Sequence, residues 1–202
     1  MTRGPCQIEP VFDGQAFIPT AFSSSVAMKF KDTKLAGAYI VEPEPHEDSR
    51  GFFARTFCAR EFGEKGLATN FVQCSVSMTR ERGTIRGLHF QLSPATEVKL
   101  VRCTAGALYD VIVDLRPNSE TYLQHIGVEL TAGNRRALYV PEMFAHGFQT
   151  LEHHAEAFYQ ISAFFEPNLA RGMRFDDPKL GIKWPLPLTT MSEKDRQWPL
   201  LG

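Results

Sequence analysis

Between residues 37 and 164 the chain breaks into short runs of β-branched and aromatic residues, and turn residues interrupt each run before it can grow into a helix. The runs at 38–41, 51–57, 71–78, 84–91, 99–103, 107–115, 126–130, 136–140, 147–151 and 155–164 read as strands. Many short strands at such close spacing predict a sandwich or a barrel. Thr104-Ala105-Gly106 reads as a hairpin turn between its flanking strands. In the second arm Tyr109, Val111, Val113 and Leu115 share one face, which leaves Asp110 and Asp114 on the other. The pattern favours helix only over 59–65, ended by Gly66, and near 192–196.

Composition narrows the classes of partner. A chain of 202 residues, 43% of them hydrophobic, fits one domain with a single core. A net charge of -1 and a pI near 6.6, with both signs mixed, argue against nucleic acid or a membrane as partner. No apolar run approaches the roughly 20 residues that span a bilayer. Cys6, Cys58, Cys74 and Cys103 form no CxxC pair, so reduced thiols in a cytoplasmic protein are expected and a zinc-thiolate site is not. Residues 1–27 lack a clear period and are expected to be an N-terminal extension, disordered or added upstream of a natural start at Met28; the fold is assigned to 28–202.

Chemistry concentrates in Thr84-Ile85-Arg86-Gly87-Leu88-His89-Phe90-Gln91. On a regular strand Arg86 and His89 point to opposite faces, but a bend at Gly87 would bring them together. The pair would hold an anionic substrate beside a base whose ordinary pKa is near neutrality.

Pro141-Glu142-Met143-Phe144-Ala145-His146-Gly147-Phe148 resembles the second cupin motif, in which a proline turn presents a histidine inside a small jelly roll. Adding Asp48-Ser49-Arg50-Gly51-Phe52-Phe53, Phe71-Val72-Gln73, Lys99-Leu100-Val101-Arg102, Tyr109-Asp110-Val111, Val113-Asp114-Leu115-Arg116 and Gly181-Ile182-Lys183-Trp184-Pro185, the chain resembles the dTDP-4-dehydrorhamnose 3,5-epimerase family over roughly residues 28–200. The resemblance implies a mainly β, cupin-type jelly-roll sandwich with a few short helices, a cytoplasmic homodimer, a nucleotide-sugar substrate, and no metal or redox cofactor.

The implied reaction inverts C3, C5 or both in a nucleotide-linked 4-keto-6-deoxyhexose. The C4 ketone acidifies the neighbouring C–H bonds, so a base on one face removes a proton and an acid on the other returns one. By resemblance His89 is the base, Asp195 orients its imidazole and Tyr159 is the acid; the oxyanion at C4 also needs a cationic stabiliser, for which Lys99 is the best candidate. Arg50, Phe53, Gln73, Arg86, His146 and Lys194 match positions that hold the diphosphate and sugar, Arg50 and Phe53 reaching a neighbouring subunit's site. Phe165 stands where the family stacks a tyrosine on thymine. Arg55 and Ser75 replace a usual glutamate and asparagine, Arg171 lies near another expected glutamate, and Gln160 replaces a common lysine. These departures leave open a CDP- or GDP-linked sugar epimerised at one carbon. Two further readings are a metal-dependent cupin such as a dioxygenase, with His89, Gln91 and His146 as ligands, and a binding protein without turnover.

Overall fold

A computed structural model describes residues 27–202; apart from Ala27, the expected extension lies outside the described residues, as does Cys6. Numbered in chain order, the strands are β1 (Met28–Asp32), β2 (Tyr39–Pro43), β3 (His46–Asp48), β4 (Gly51–Phe53), β5 (Gln73–Thr79), β6 (Ile85–Gln91), β7 (Lys99–Ala105), β8 (Ala107–Asp114), β9 (His125–Thr131), β10 (Ala137–Val140), β11 (Phe144–Thr150), β12 (Ala155–Ile161) and β13 (Ala170–Gly172). The helices α1 (Ala59–Glu64) and α2 (Glu193–Arg196) fall where the sequence places them. One antiparallel sheet runs β1-β2-β10-β7-β12-β5 and the other β13-β6-β11-β8-β9, with β3 and β4 a separate two-stranded arm. This is the expected cupin-type sandwich.

The turn at Thr104-Ala105-Gly106 does not make a hairpin, which corrects the sequence reading. β7 is flanked by β10 and β12, whereas β8 is flanked by β11 and β9 in the opposite sheet. Gly106, at φ +68°, turns the chain from one layer to the other. The links from β9 to β10 and from β11 to β12 also change sheet, so each tight connection closes an end of the sandwich. Run 51–57 shortens to β4, while β3 and β13 lie outside the runs that read as strands.

The alternation on β8 resolves into two environments. Leu108 and Ile112 enter the core between the sheets with Val101, Leu138, Phe144 and Phe148. Tyr109, Val111 and Val113 face outward and are covered by Met173, Leu180, Ile182 and Trp184 of the C-terminal segment. A third cluster packs α1, through Phe62, on the outer face of the larger sheet against Val41, Leu100 and Tyr139.

One irregularity sets the geometry of the site. In the β6–β11 ladder His89 pairs with His146 and Arg86 with Phe148, so Gly87 and Leu88 together oppose Gly147. This bulge inserts one residue and brings Arg86 and His89 to one face, as the bend at Gly87 predicted. Leu88 is fully buried, and its backbone exchanges hydrogen bonds of 3.2 and 3.0 Å with Met173. Gly87 sits at φ +120°, and a Cβ there would lie 2.5 Å from Gly147 Cα. Gly87→Ala is expected to cost about 2–5 kcal/mol from backbone strain and overlap, lowering the thermal midpoint by roughly 5–15 °C in a melting experiment. A melt unchanged from wild type would contradict this role for the bulge.

Candidate active site

The bulge opens both side chains onto a cavity of about 380 Å³ between the open edges of the two sheets. His89 and Arg86 reach it from the smaller sheet and Tyr159, Lys99 and Gln73 from the larger one. His146, Phe165 and Lys194 complete its wall among the sequence-predicted residues. Asp195 lines an adjoining cavity that shares Arg86, His89, Tyr159 and Lys194 with the first. Nine of the eleven expected residues therefore converge. Arg50 and Phe53 do not: they lie exposed on the β3–β4 arm, where Arg50 pairs with Asp48 at 2.5 Å.

His89 Nε2 lies 2.6 Å from Asp195 Oδ1. Donation from Nε2–H selects that tautomer and leaves Nδ1 as the basic ring nitrogen. Ser192 N-caps α2, its Oγ accepting from Asp195 N at 3.1 Å, so a local Ser-x-x-Asp pattern fixes the carboxylate's position. Gly87, freed from the regular ladder, directs its N–H at Asp195 Oδ2, 3.5 Å away. Burial alone would push the Asp195 carboxyl up, but the His89 contact, Ser192 and the Gly87 amide outweigh it and hold the group below its ordinary value of 3.8. Trp198 Nε1–H also reaches Asp195 Oδ1, at 3.4 Å.

Across the cavity, burial and the nearby Asp110 charge push the Tyr159 phenol well above its ordinary value, with Arg86 and a hydrogen bond to Ser77 opposing. Tyr159 is thus held as a neutral O–H donor. Its ring meets His146 edge to face, with centroids 6.0 Å apart. His146 is buried, and its Nε2–H points at both Asp110 oxygens, each 3.0 Å away. Lys99 is also buried and pairs with Glu97 at 2.8 Å.

Three residues that sequence reasoning did not place here are Asp110, Glu97 and Trp198. For Asp110 a signal existed, since a carboxylate alternating with apolar residues on a buried strand needs a partner. Trp198 packs against β13 at Gly172, where a Cβ would come within 2.2 Å of its ring, and Lys194 Nζ lies 5.5 Å from the ring centroid. Of the positions where the chain departs from the expected pattern, Ser75 and Arg171 line the cavity and Arg55 is bound to Glu61 at 2.9 Å. The dioxygenase reading does not fit this geometry. The Gln91 amide, the third ligand of that reading, is bound to Ala95, Glu97, Phe164 and Glu166, and no group of three His, Cys, Asp or Glu among the described residues is arranged to hold a metal ion.

A family model described as dTDP-4-dehydrorhamnose 3,5-epimerase matches residues 32–202. The chain belongs to this family. The dTDP-4-dehydrorhamnose 3,5-epimerase of Methanothermobacter thermautotrophicus is 45% identical over 173 residues, covering 84% of this chain and 92% of that protein. A crystal structure of the family member from Bacillus anthracis, with TDP and PPi bound, is 42% identical and superposes at a TM-score of 0.84, covering 87% of this chain and all of that one. The Legionella pneumophila dTDP-6-deoxy-D-glucose-3,5-epimerase, in complex with dTDP-4-keto-L-rhamnose, is 37% identical at a TM-score of 0.81, covering 86% of this chain and 93% of that one.

Asp195 and Asp114 are both held below the ordinary value of 3.8 in the fold. A depressed carboxyl adds stability that is complete above the unfolded-state value and is lost as pH falls through the folded-state value. The stability gap between wild type and Asp195→Asn in urea unfolding should therefore be larger at about pH 5 than at about pH 2.5. A gap that grows on that acidification would contradict the pairing.

Proposed function

We propose that this chain is a dTDP-4-dehydrorhamnose 3,5-epimerase acting on dTDP-4-keto-6-deoxyglucose at C3 and C5. The observation that carries the reading is the His89–Asp195 pair at 2.6 Å, facing a cavity that Tyr159 enters from the opposite sheet. His89 Nδ1 removes the proton beside the C4 ketone, and the C–H electron pair moves into an enolate with its charge on the C4 oxygen. The resulting imidazolium is stabilised by Asp195. Tyr159 delivers a proton to the opposite face of the carbon, the ketone reforms, and Arg86 offsets the phenolate charge. Lys99 lies in the same cavity and supplies the positive charge that an enolate oxygen needs. The cycle closes when solvent exchange returns each residue to its starting protonation state, and the step repeats at the second carbon.

Arg86 and Lys194 hold the diphosphate, Phe165 stacks on the base, Gln73 binds beside it and His146 borders the sugar. Residues 28–202 form the catalytic unit. The protein works as a homodimer in which the exposed β3–β4 arm carries Arg50 and Phe53 into the neighbouring subunit's cavity. Two observations support this: Phe53 is 67% exposed on the arm, and the edge strand β5 presents Val76 at 60% exposure. The free thiols Cys58, Cys74 and Cys103 fit a cytoplasmic location, and no helix among the described residues is long and apolar enough to cross a membrane.

His89→Asn and Tyr159→Phe should each lower kcat by about 10²–10⁴-fold, the range for a positioned acid or base. Calorimetry should find dTDP affinity within about threefold of wild type, since neither group is assigned to the nucleotide. Full turnover by His89→Asn would overturn the reading.

A further inference from the structure

Gln91 closes β6 at 3% exposure, and every polar group of its amide is engaged. Its Nε2 donates to Ala95 O at 3.0 Å, to Glu97 Oε2 at 3.2 Å and to Phe164 O at 3.2 Å, while its Oε1 accepts from Glu166 N at 2.7 Å. A primary amide has two N–H groups, which the three acceptors share, and its oxygen is taken by the Glu166 N–H, so contacts on both ends of the amide fix its rotamer. Two of the partners flank Phe165 in the chain. Phe165 N itself donates to Gln73 Oε1 at 2.7 Å. Two glutamines from opposite sheets therefore clamp three consecutive backbone positions, and the Phe165 ring stands 60% exposed at the rim of the cavity they fix. Another partner, Glu97, leads the other way, because it is bound to Gln91 through Oε2 and to Lys99 Nζ through Oε1, at 2.8 Å. Both side chains of that ion pair are close to nine-tenths buried.

We infer that Gln91 is a positioning residue joining the two ends of the substrate site: it aims the Phe165 ring at the nucleoside and, through Glu97, the Lys99 ammonium at the sugar. The inference rests on the cavity being the nucleotide-sugar site proposed above. Without Gln91, the Glu97 carboxylate loses a buried donor and is free to swing Lys99 away from the C4 oxygen, while the 164–166 strap loses two of its three side-chain ties. Glu97→Gln disturbs only the Lys99 branch.

The test is a double-mutant cycle in the full chain with Gln91→Met and Glu97→Gln. It reads kcat from solvent deuterium uptake into dTDP-4-keto-6-deoxyglucose and the dTDP dissociation constant from calorimetry. Each single variant should lose about tenfold or more in kcat, the effect of one hydrogen bond to a charged group. The double variant should lose no more than the worse single one, because both act through Lys99. Gln91→Met alone should weaken dTDP binding, by about tenfold. Losses in kcat that multiply, or dTDP binding unchanged in Gln91→Met, would overturn the inference. Should Gln91→Met fail to fold, amide hydrogen exchange of the wild type decides: slow exchange at Phe165 and Glu166 supports the clamp and fast exchange refutes it. A wild-type chain that binds dTDP but takes up no deuterium refutes the epimerase reading, while the binding and exchange arms still test the strap.

Discussion

A regular β-strand alternates its side chains, so residues three apart cannot both face one cavity. The cavity nevertheless needs Arg86 and His89 side by side, and the extra residue at the Gly87–Leu88 bulge makes this possible. The bulge depends on two glycines at van der Waals contact, Gly87 and Gly147, where either Cβ would strike the opposite backbone. Three consequences follow from that one contact. Leu88 is driven into the outer apolar cluster and anchors the strand, His89 turns toward the cavity, and the Gly87 N–H leaves the ladder and points at the carboxylate that holds the His89 imidazole. Backbone geometry and the geometry of the candidate site are here the same feature.

The corner connections give the site its second half. Because β7 and β8, β9 and β10, and β11 and β12 each divide between the sheets, residues close in sequence arrive on opposite walls. His146 on β11 and Tyr159 on β12 meet edge to face across the sandwich. An epimerase needs this arrangement, since abstraction and return of the proton take place on opposite faces of one carbon. The interior carries polar groups that a purely structural core would avoid: Asp110 and Asp114 are fully buried on the inward face of β8. Asp114 is satisfied by Arg116, Ser119 and Thr121, and Asp110 by His146. Buried charges are weak contributors to stability, and breaking such a pair is costly. Asp110 keeps its place by holding His146 and by raising the phenol it faces.

Much of this was legible in the residues. Strand density predicts the sandwich, the pattern near 192–196 predicts α2, and the motif around His89 predicts the bend and its partner Arg86. What escaped has a common physical cause. Thr104-Ala105-Gly106 is locally a sound turn, but strand partners are chosen by long-range pairing, and β12 and β10 occupy both edges of β7. Glu97 and Trp198 sit in loop and tail segments whose local pattern carries no period, so only the folded contacts reveal that they touch Lys99 and Asp195. From the sequence Gln91 reads only as a metal ligand of the dioxygenase alternative, because an amide's function is set by which four groups surround it.

The most direct measurement is solvent deuterium entry into dTDP-4-keto-6-deoxyglucose, incubated with the wild-type protein in D₂O and followed by NMR at each carbon. Deuterium at both C3 and C5, with inversion at each, is the result predicted for His89 and Tyr159 working on opposite faces of the sugar. Absence of label at both carbons, beside a control epimerase that labels them, would contradict it.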